Sequence, residues 1–200
     1  MRVVRTELAD AEAALQIMAL CNDLEGPVDV ALWEHAREAL QCDPQTLVEQ
    51  CARLGEELFS SETKYMSVAC EGTHFGPQGR DLLKGAPEIV MGMCDMTDAE
   101  RSGALALVDR WAGEGLRMLG LADRPHGSLQ DHTGYRFVGL VAMQDPVRDG
   151  VVQAVQVARG AGVRVAMITG DYARTAENIA LSTGIMQPGE HALEGAELAG

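Results

Sequence analysis

From Arg164 to Ala180 the chain reads R-V-A-M-I-T-G-D-Y-A-R-T-A-E-N-I-A, and no other stretch restricts its folding so strongly. Val163, Val165, Ala166, Met167 and Ile168 form a nearly continuous apolar run, the pattern of a strand buried on both faces of a parallel sheet. Gly170 admits a tight turn. A helix starting near Tyr172 then sets its free N–H groups and the positive end of its dipole beside the Thr169 hydroxyl, an arrangement suited to a phosphoryl group. Thr169, Gly170 and Asp171 also fit an ordinary strand-to-helix connection, because Gly and Asp are common turn residues. The upstream sequence favours the ligand reading. Gly139 to Met143 is a second apolar run, it ends in D-P-V-R (Asp145 to Arg148), and a helical pattern follows from Asp149 to Ala161. Strand, helix, strand, helix at this spacing predicts a right-handed βαβα unit of a parallel sheet, with Asp145 and Thr169 at one carboxyl edge.

Two hundred residues allow one large domain or two modest ones. Thirty Asp and Glu against sixteen Lys and Arg give a formal charge of −14, which argues against a nucleic-acid partner. Any anion site must therefore be local. No window approaches the roughly 20 uninterrupted apolar residues that cross a bilayer, and Met1 to Leu8 lack a signal-peptide core, so the chain reads as soluble. Cys21, Cys42, Cys51, Cys70 and Cys94 are odd in number and never spaced C-x-x-C, which disfavours zinc or a disulfide framework and favours a reducing cytosol.

Local patterns divide the chain further. Val3 to Arg5 is β-prone, and Ala11 to Cys21 carries Ala13, Ala14, Ile17 and Leu20 at helical spacing. Helices are predicted at Asp29 to Leu40, with Val30, Leu32, Trp33 and Ala36 on one face, and at Gln45 to Leu54 behind Pro44, with Leu47, Val48 and Cys51 inward. Strands at Lys64 to Ala69 and Asp81 to Lys84 flank a glycine-rich loop and read as a hairpin. Thr97 caps a helix from Asp98 to Gly113, and Arg117 to Ala122 and Phe137 to Ala142 return to strand. A boundary between Ala142 and Pro146 separates an antiparallel α+β region, residues 1–142, from the βαβα unit, residues 143–200.

Taken together, Gly139 to Ala180 closely resembles the phosphorylation domain of P-type cation-transporting ATPases, with both D-P-x-R and M-x-T-G-D-x-x-x-T-A. The resemblance is nearest to bacterial relatives of the calcium and sodium/potassium pumps. It implies an α+β nucleotide-binding domain, an antiparallel sheet flanked by helices, joined to part of a Rossmann-like, haloacid-dehalogenase-like domain. The first region carries matching motifs. Lys84-Gly85-Ala86-Pro87-Glu88 is similar to the pumps' K-G-A-P-E, whose lysine enters the ATP pocket. Phe59 to Val68, F-S-S-E-T-K-Y-M-S-V, resembles the segment in which the aromatic stacks on adenine, the lysine lines the pocket and the methionine forms apolar wall. That implies these roles for Phe59, Lys64 and Met66. Stacking suits any flat base. Gly115 to Leu119 resembles G-L-R-x-L, so Arg117 would contact phosphates, and a guanidinium fork suits that work. Gly26 to Leu32 resembles a shortened G-D-P-T-E-x-A-L, which sets Asp29 where the family has a glutamate near the adenine amino group. Glu25 is an alternative for that role, and a plain N-cap is an alternative reading of Asp29.

The resemblance also implies what surrounds this chain. The family's nucleophile motif D-K-T-G-T would lie just ahead of Met1 to Val3, and the magnesium motif G-D-G-x-N-D beyond a tail that resembles the segment before it. Thr169, Gly170 and Asp171 would then meet the transferred phosphoryl, with Asp145 and Arg148 ordering the interface and most Mg ligands outside the chain. ATP, the remaining pump domains and the transmembrane helices are the implied partners, in a cytoplasmic region of an inner-membrane protein. Two rivals remain: a stand-alone haloacid-dehalogenase-like phosphatase, for which no suitable D-x-D is found, and a non-catalytic nucleotide-sensing module.

Overall fold

Each strand read from the first 142 residues forms, and in a computed structural model of the chain all of them join one sheet. The structure describes residues 1–40, 43–72, 74–75, 78–145, 147–168 and 173–193, with backbone alone for 173–175. The elements are β1 (Arg2–Leu8), α1 (Ala11–Leu20), α2 (Pro27–Leu40), α3 (Gln45–Gln50), β2 (Cys51–Glu57), β3 (Tyr65–Gly72) and β4 (Arg80–Gly85). They continue as α4 (Pro87–Met93), α5 (Asp98–Gly113), β5 (Arg117–Pro125), β6 (Arg136–Gln144), α6 (Val151–Gly160) and α7 (Ala173–Thr183). The strand order is β1-β6-β5-β4-β3-β2, with every neighbouring pair antiparallel.

Alternation along the strands divides the core between two faces. On one, Ile17, Met18 and Leu32 of α1 and α2 pack on Met66, Val68, Leu82, Leu121 and Met143. Burial of each such side chain contributes about 1.5–3 kcal/mol. On the other, Val90 of α4 meets Tyr65, Leu83 and Tyr135, and Trp111 of α5 covers Leu140 and Ala142. Gly120 lets α4 seat closely, since a Cβ there would lie 3.0 Å from Val90 Cβ and 3.3 Å from Pro87 Cα. Side chains cap two of the helices, Thr97 as the sequence predicts. The Asp10 carboxylate accepts from Ala13 N, and Thr97 with Glu100 forms a full capping box on α5.

Four expectations are corrected. The predicted helix at 45–54 stops at Gln50, and Cys51–Glu57 becomes the edge strand β2 paired with β3. None of α3's residues is buried, so its helical spacing has little core to serve, whereas β3 has backbone groups that need a partner. α2 begins at Pro27, which places Asp29 inside its first turn rather than at the cap. Its buried face is Ala31, Leu32 and Ala36, while Val30 is exposed. Finally, the parallel βαβα unit is not formed among the described residues. β6 has both edges occupied by β1 and β5 in antiparallel register, and residues 163–168 are not a strand. Val163 instead ends α6 by donating its N–H to Ala158 O at 2.9 Å, and Ile168 is 98% exposed. The helical parts of that expectation are present as α6 and α7.

Candidate functional site

The start of β3, the end of β4 and the start of β5 meet at one end of the sheet, where cross-strand partners run Met66, Lys84, Leu121 and, one step on, Tyr65, Gly85, Gly120. The first turn of α2 and the connection from β2 to β3 close over this end. Between them lies a cleft of ≈ 600 Å³. Its lining includes Asp29, Phe59, Lys64, Met66, Lys84, Gly85 and Arg117, all singled out from the sequence, together with Glu25, Val28 and Leu58. A volume of this size falls in the range of small-molecule and cofactor sites, about 300–1,000 Å³.

Lys84 is the buried cation of the cleft, 5% exposed. Its Nζ lies 2.5 Å from Asp29 Oδ1, so the two motif residues are an ion pair across 55 positions of sequence. A charge-assisted bond of this kind keeps a desolvated lysine in place. Asp29 is itself held, since Asn22 Nδ2 donates to Asp29 O and to Met18 O at 2.9 Å each. An ammonium group has three donors, and Asp29 occupies one. Others can serve an anionic ligand. Met66 is 2% exposed and forms the apolar floor. Beneath it Cys21 Sγ donates to Met66 O, and burial pushes that thiol up to about 12, Lys84 notwithstanding.

The wall opposite is the 58–64 connection. Phe59 and Leu58 are each 62% exposed, so neither belongs to the core. An aromatic ring left half in water beside a cleft is a surface a flat base can cover. Ser60 fixes the turn: its Oγ accepts from Thr63 N at 3.0 Å and its carbonyl from Lys64 N at 2.8 Å. Lys64 has φ +60, a left-handed conformation uncommon outside glycine, and its carbonyl accepts from Ala86 N at 2.8 Å. The lysine-bearing turn and the K-G-A-P-E segment are thereby tied together. Arg117, exposed at the start of β5, completes a cluster of three cations.

The sequence carried no signal for Leu58, Val28 or Arg53. Arg53 bonds Asp23 Oδ1 at 2.7 Å and the carbonyls of Leu20 and Asn22, fastening the α1–α2 connection to β2. Of the second group of predicted residues, Asp145 and Arg148 do not line the cleft. Asp145 follows β6, 72% exposed in its side chain, with Oδ1 3.0 Å from the Met1 nitrogen, and Arg148 is exposed before α6. Thr169, Gly170 and Asp171 lie outside the described residues. Among the described residues no group of three or more His, Cys, Asp or Glu is placed to hold a metal ion, and no helix is long and apolar enough to cross a membrane.

An antiparallel sheet covered by helices on both faces, with a cleft at one end, defines an α+β domain. Residues 10–150 match the family described as P-type ATPase, cytoplasmic domain N. The chain is 32% identical over 215 residues to calcium-transporting ATPase 1 of Lactococcus lactis subsp. lactis, covering 95% of this chain and 24% of that protein. It is 30% identical over 209 residues to a calcium-transporting ATPase of Listeria monocytogenes (92% and 23% covered). With calcium-transporting ATPase 4, plasma membrane-type, of Arabidopsis thaliana, identity is 38% over 157 residues (70% and 15% covered). The chain belongs to the P-type cation-transporting ATPase family. It spans a quarter or less of the length of these relatives.

Proposed function

We propose that this chain is the ATP-binding cytoplasmic region of a P-type ATPase that couples ATP hydrolysis, through an aspartyl phosphate, to cation transport across a membrane. The observation that carries the proposal is the convergence of Asp29, Phe59, Lys64, Met66, Lys84, Gly85 and Arg117 on one cleft from five separate segments. Phe59 stacks on adenine with Met66 beneath it, Lys64 and Lys84 line the pocket, and Arg117 at the rim holds phosphates. The Asp29–Lys84 pair orders the adenine side, which favours Asp29 over Glu25 for the family's carboxylate. The relatives are named calcium-transporting, and calcium is the ion we assign to the whole protein on that ground. Residues after β6 are assigned to the haloacid-dehalogenase-like phosphorylation domain on their D-P-V-R and T-G-D motifs, with the division near Gln144, where β6 ends. In that reading Thr169, Gly170 and Asp171 meet the transferred phosphoryl, and Asp145 and Arg148 order the interface. Among the described residues no three His, Cys, Asp or Glu side chains gather to hold a magnesium ion, in keeping with metal ligands supplied from elsewhere in the parent protein.

Calorimetric titration with ATP tests the reading. Saturable binding is expected. Phe59→Ala lowers affinity about tenfold, base stacking being worth about 1–3 kcal/mol, and Lys84→Ala weakens binding with the fold retained. Absence of binding at about millimolar ATP refutes the proposal, and magnesium-dependent turnover of a generic phosphomonoester favours the phosphatase.

A further inference from the structure

The connection that carries Phe59 and Lys64 is held from the face of the sheet opposite the cleft. Its two stems are Glu57, the last residue of β2, and Tyr65, the first of β3. The Tyr65 hydroxyl donates to Glu57 Oε2 at 3.0 Å, and Ser67 Oγ donates to the same oxygen at 3.1 Å. Into this junction the β5–β6 loop, residues 126–135, brings His132. Its Nε2 lies 3.1 Å from the Tyr65 hydroxyl and 3.4 Å from Glu57 Oε2, and its ring meets the Tyr65 ring edge-on at 5.5 Å. The Tyr65 proton is already committed to Glu57, so Nε2 carries a hydrogen and donates. A four-membered polar cluster thus closes both stems of the 58–64 connection at once.

The loop that supplies His132 is anchored. Arg124 donates to the carbonyls of Ser128 and Thr133, on either side of His132. Gly127 N donates to Asp81 Oδ2 at 3.2 Å, and Arg124 binds the same carboxylate through Nε at 3.0 Å. His132 is therefore the end of a rigid arm rooted in the sheet. Among the described residues none on the cleft side supplies Phe59 with an equivalent support: Phe59 is 62% exposed, and the turn's further ties there are its own Ser60 bonds and the Lys64–Ala86 link.

We infer that His132 is a positioning residue for nucleotide binding, acting through Glu57 and Tyr65 to hold the Phe59–Lys64 connection in its ligand-ready form. The inference rests on the nucleotide reading of the cleft. A side chain that pre-orders a binding loop raises affinity by lowering the ordering cost of binding.

The test uses the full 200-residue chain and ATP titration of the wild type, His132→Ala and His132→Gln, with backbone amide NMR of each. His132→Ala lowers ATP affinity about fivefold, the equivalent of one net hydrogen bond, and shifts the amides of Phe59 to Lys64 while those of Lys84 and Arg117 keep their positions. His132→Gln retains an N–H donor and restores affinity to within about twofold of wild type. If the wild type binds ATP and His132→Ala matches it, the inference fails while the function stands. It fails equally if the loss in His132→Ala comes with shifts throughout the cleft, or if His132→Gln does not restore binding. If the wild type does not bind, the functional reading itself is lost.

Discussion

Gly85 shows how a residue named by a motif can be fixed in place by the fold. In the sequence it follows the cleft lysine and reads as a place where a ligand approaches backbone closely. It does line the cleft, yet what excludes a side chain is the neighbouring strand: a Cβ would lie 2.6 Å from Tyr65 Cβ and 2.7 Å from Lys64 O. Both atoms belong to the stem of the binding connection, and backbone cannot give way as a flexible side chain would. Gly85→Ala should therefore destabilise the chain by about 1–3 kcal/mol, the usual range for overpacking, seen as a lower urea midpoint. ATP affinity should fall with it, because the displaced residue is Lys64. Phe59 and Lys84 were legible as cleft residues from their motifs, and the structure brings them there. The Asp29–Lys84 bond was not legible, since nothing local in either segment indicates which carboxylate a lysine 55 positions away will meet.

At the scale of elements, legibility follows how local the cause is. α1 was readable from the helical spacing of Ala13, Ala14, Ile17 and Leu20, and α5 from Thr97, whose cap bonds lie within three residues of the helix start. Asp10 makes a useful test. The Ala13 N–H and the Arg136 guanidinium, whose Nη1 lies 3.0 Å from Oδ2, hold its carboxyl below the ordinary 3.8. A carboxyl with a depressed folded-state pKa binds fewer protons when folded. Its stabilisation is complete above the unfolded value and is lost as pH falls through the folded one. Asp10→Ala should cost about 1 kcal/mol near pH 7, and the gap from wild type in thermal unfolding should narrow below about pH 4. α4 is absent from the sequence reading, although proline at the first helical position was the available signal. The change from helix to strand at Cys51 had no such signal. β2 exists because β3 presents an unpaired edge, which is a property of the sheet rather than of residues 51–57.

Over the whole molecule, the sheet has a cleft at one end and a buried ionic cluster at the other. At the latter Asp81 is fully buried and accepts from Arg124 Nε, His126 Nδ1 and Gly127 N, while the Arg124 guanidinium sits 4.3 Å from the centre of the Tyr135 ring. Arg124→Met would leave that carboxylate without its main counter-charge and free the β5–β6 loop. A loss of about 3–5 kcal/mol is expected in equilibrium urea unfolding, and a change below about 1 kcal/mol would show the pair to be dispensable. What the sequence by itself determined was the strands before Gln144 other than β2, the helical stretches of α1 and α5, and the cleft residues that belong to motifs. Each depends on spacing and hydrogen bonds within a few positions, or on motifs that carry their own chemistry. Only the tertiary structure decided that the 139–143 run lies antiparallel between β1 and β5 instead of opening a parallel unit with residues 163–168. The same holds for the Asp29–Lys84 pair and for His132 reaching Tyr65 from across the sheet. The physical reason is common to all three. In each case the partner is chosen by contacts between residues far apart in the chain, which spacing and capping within a few positions do not encode.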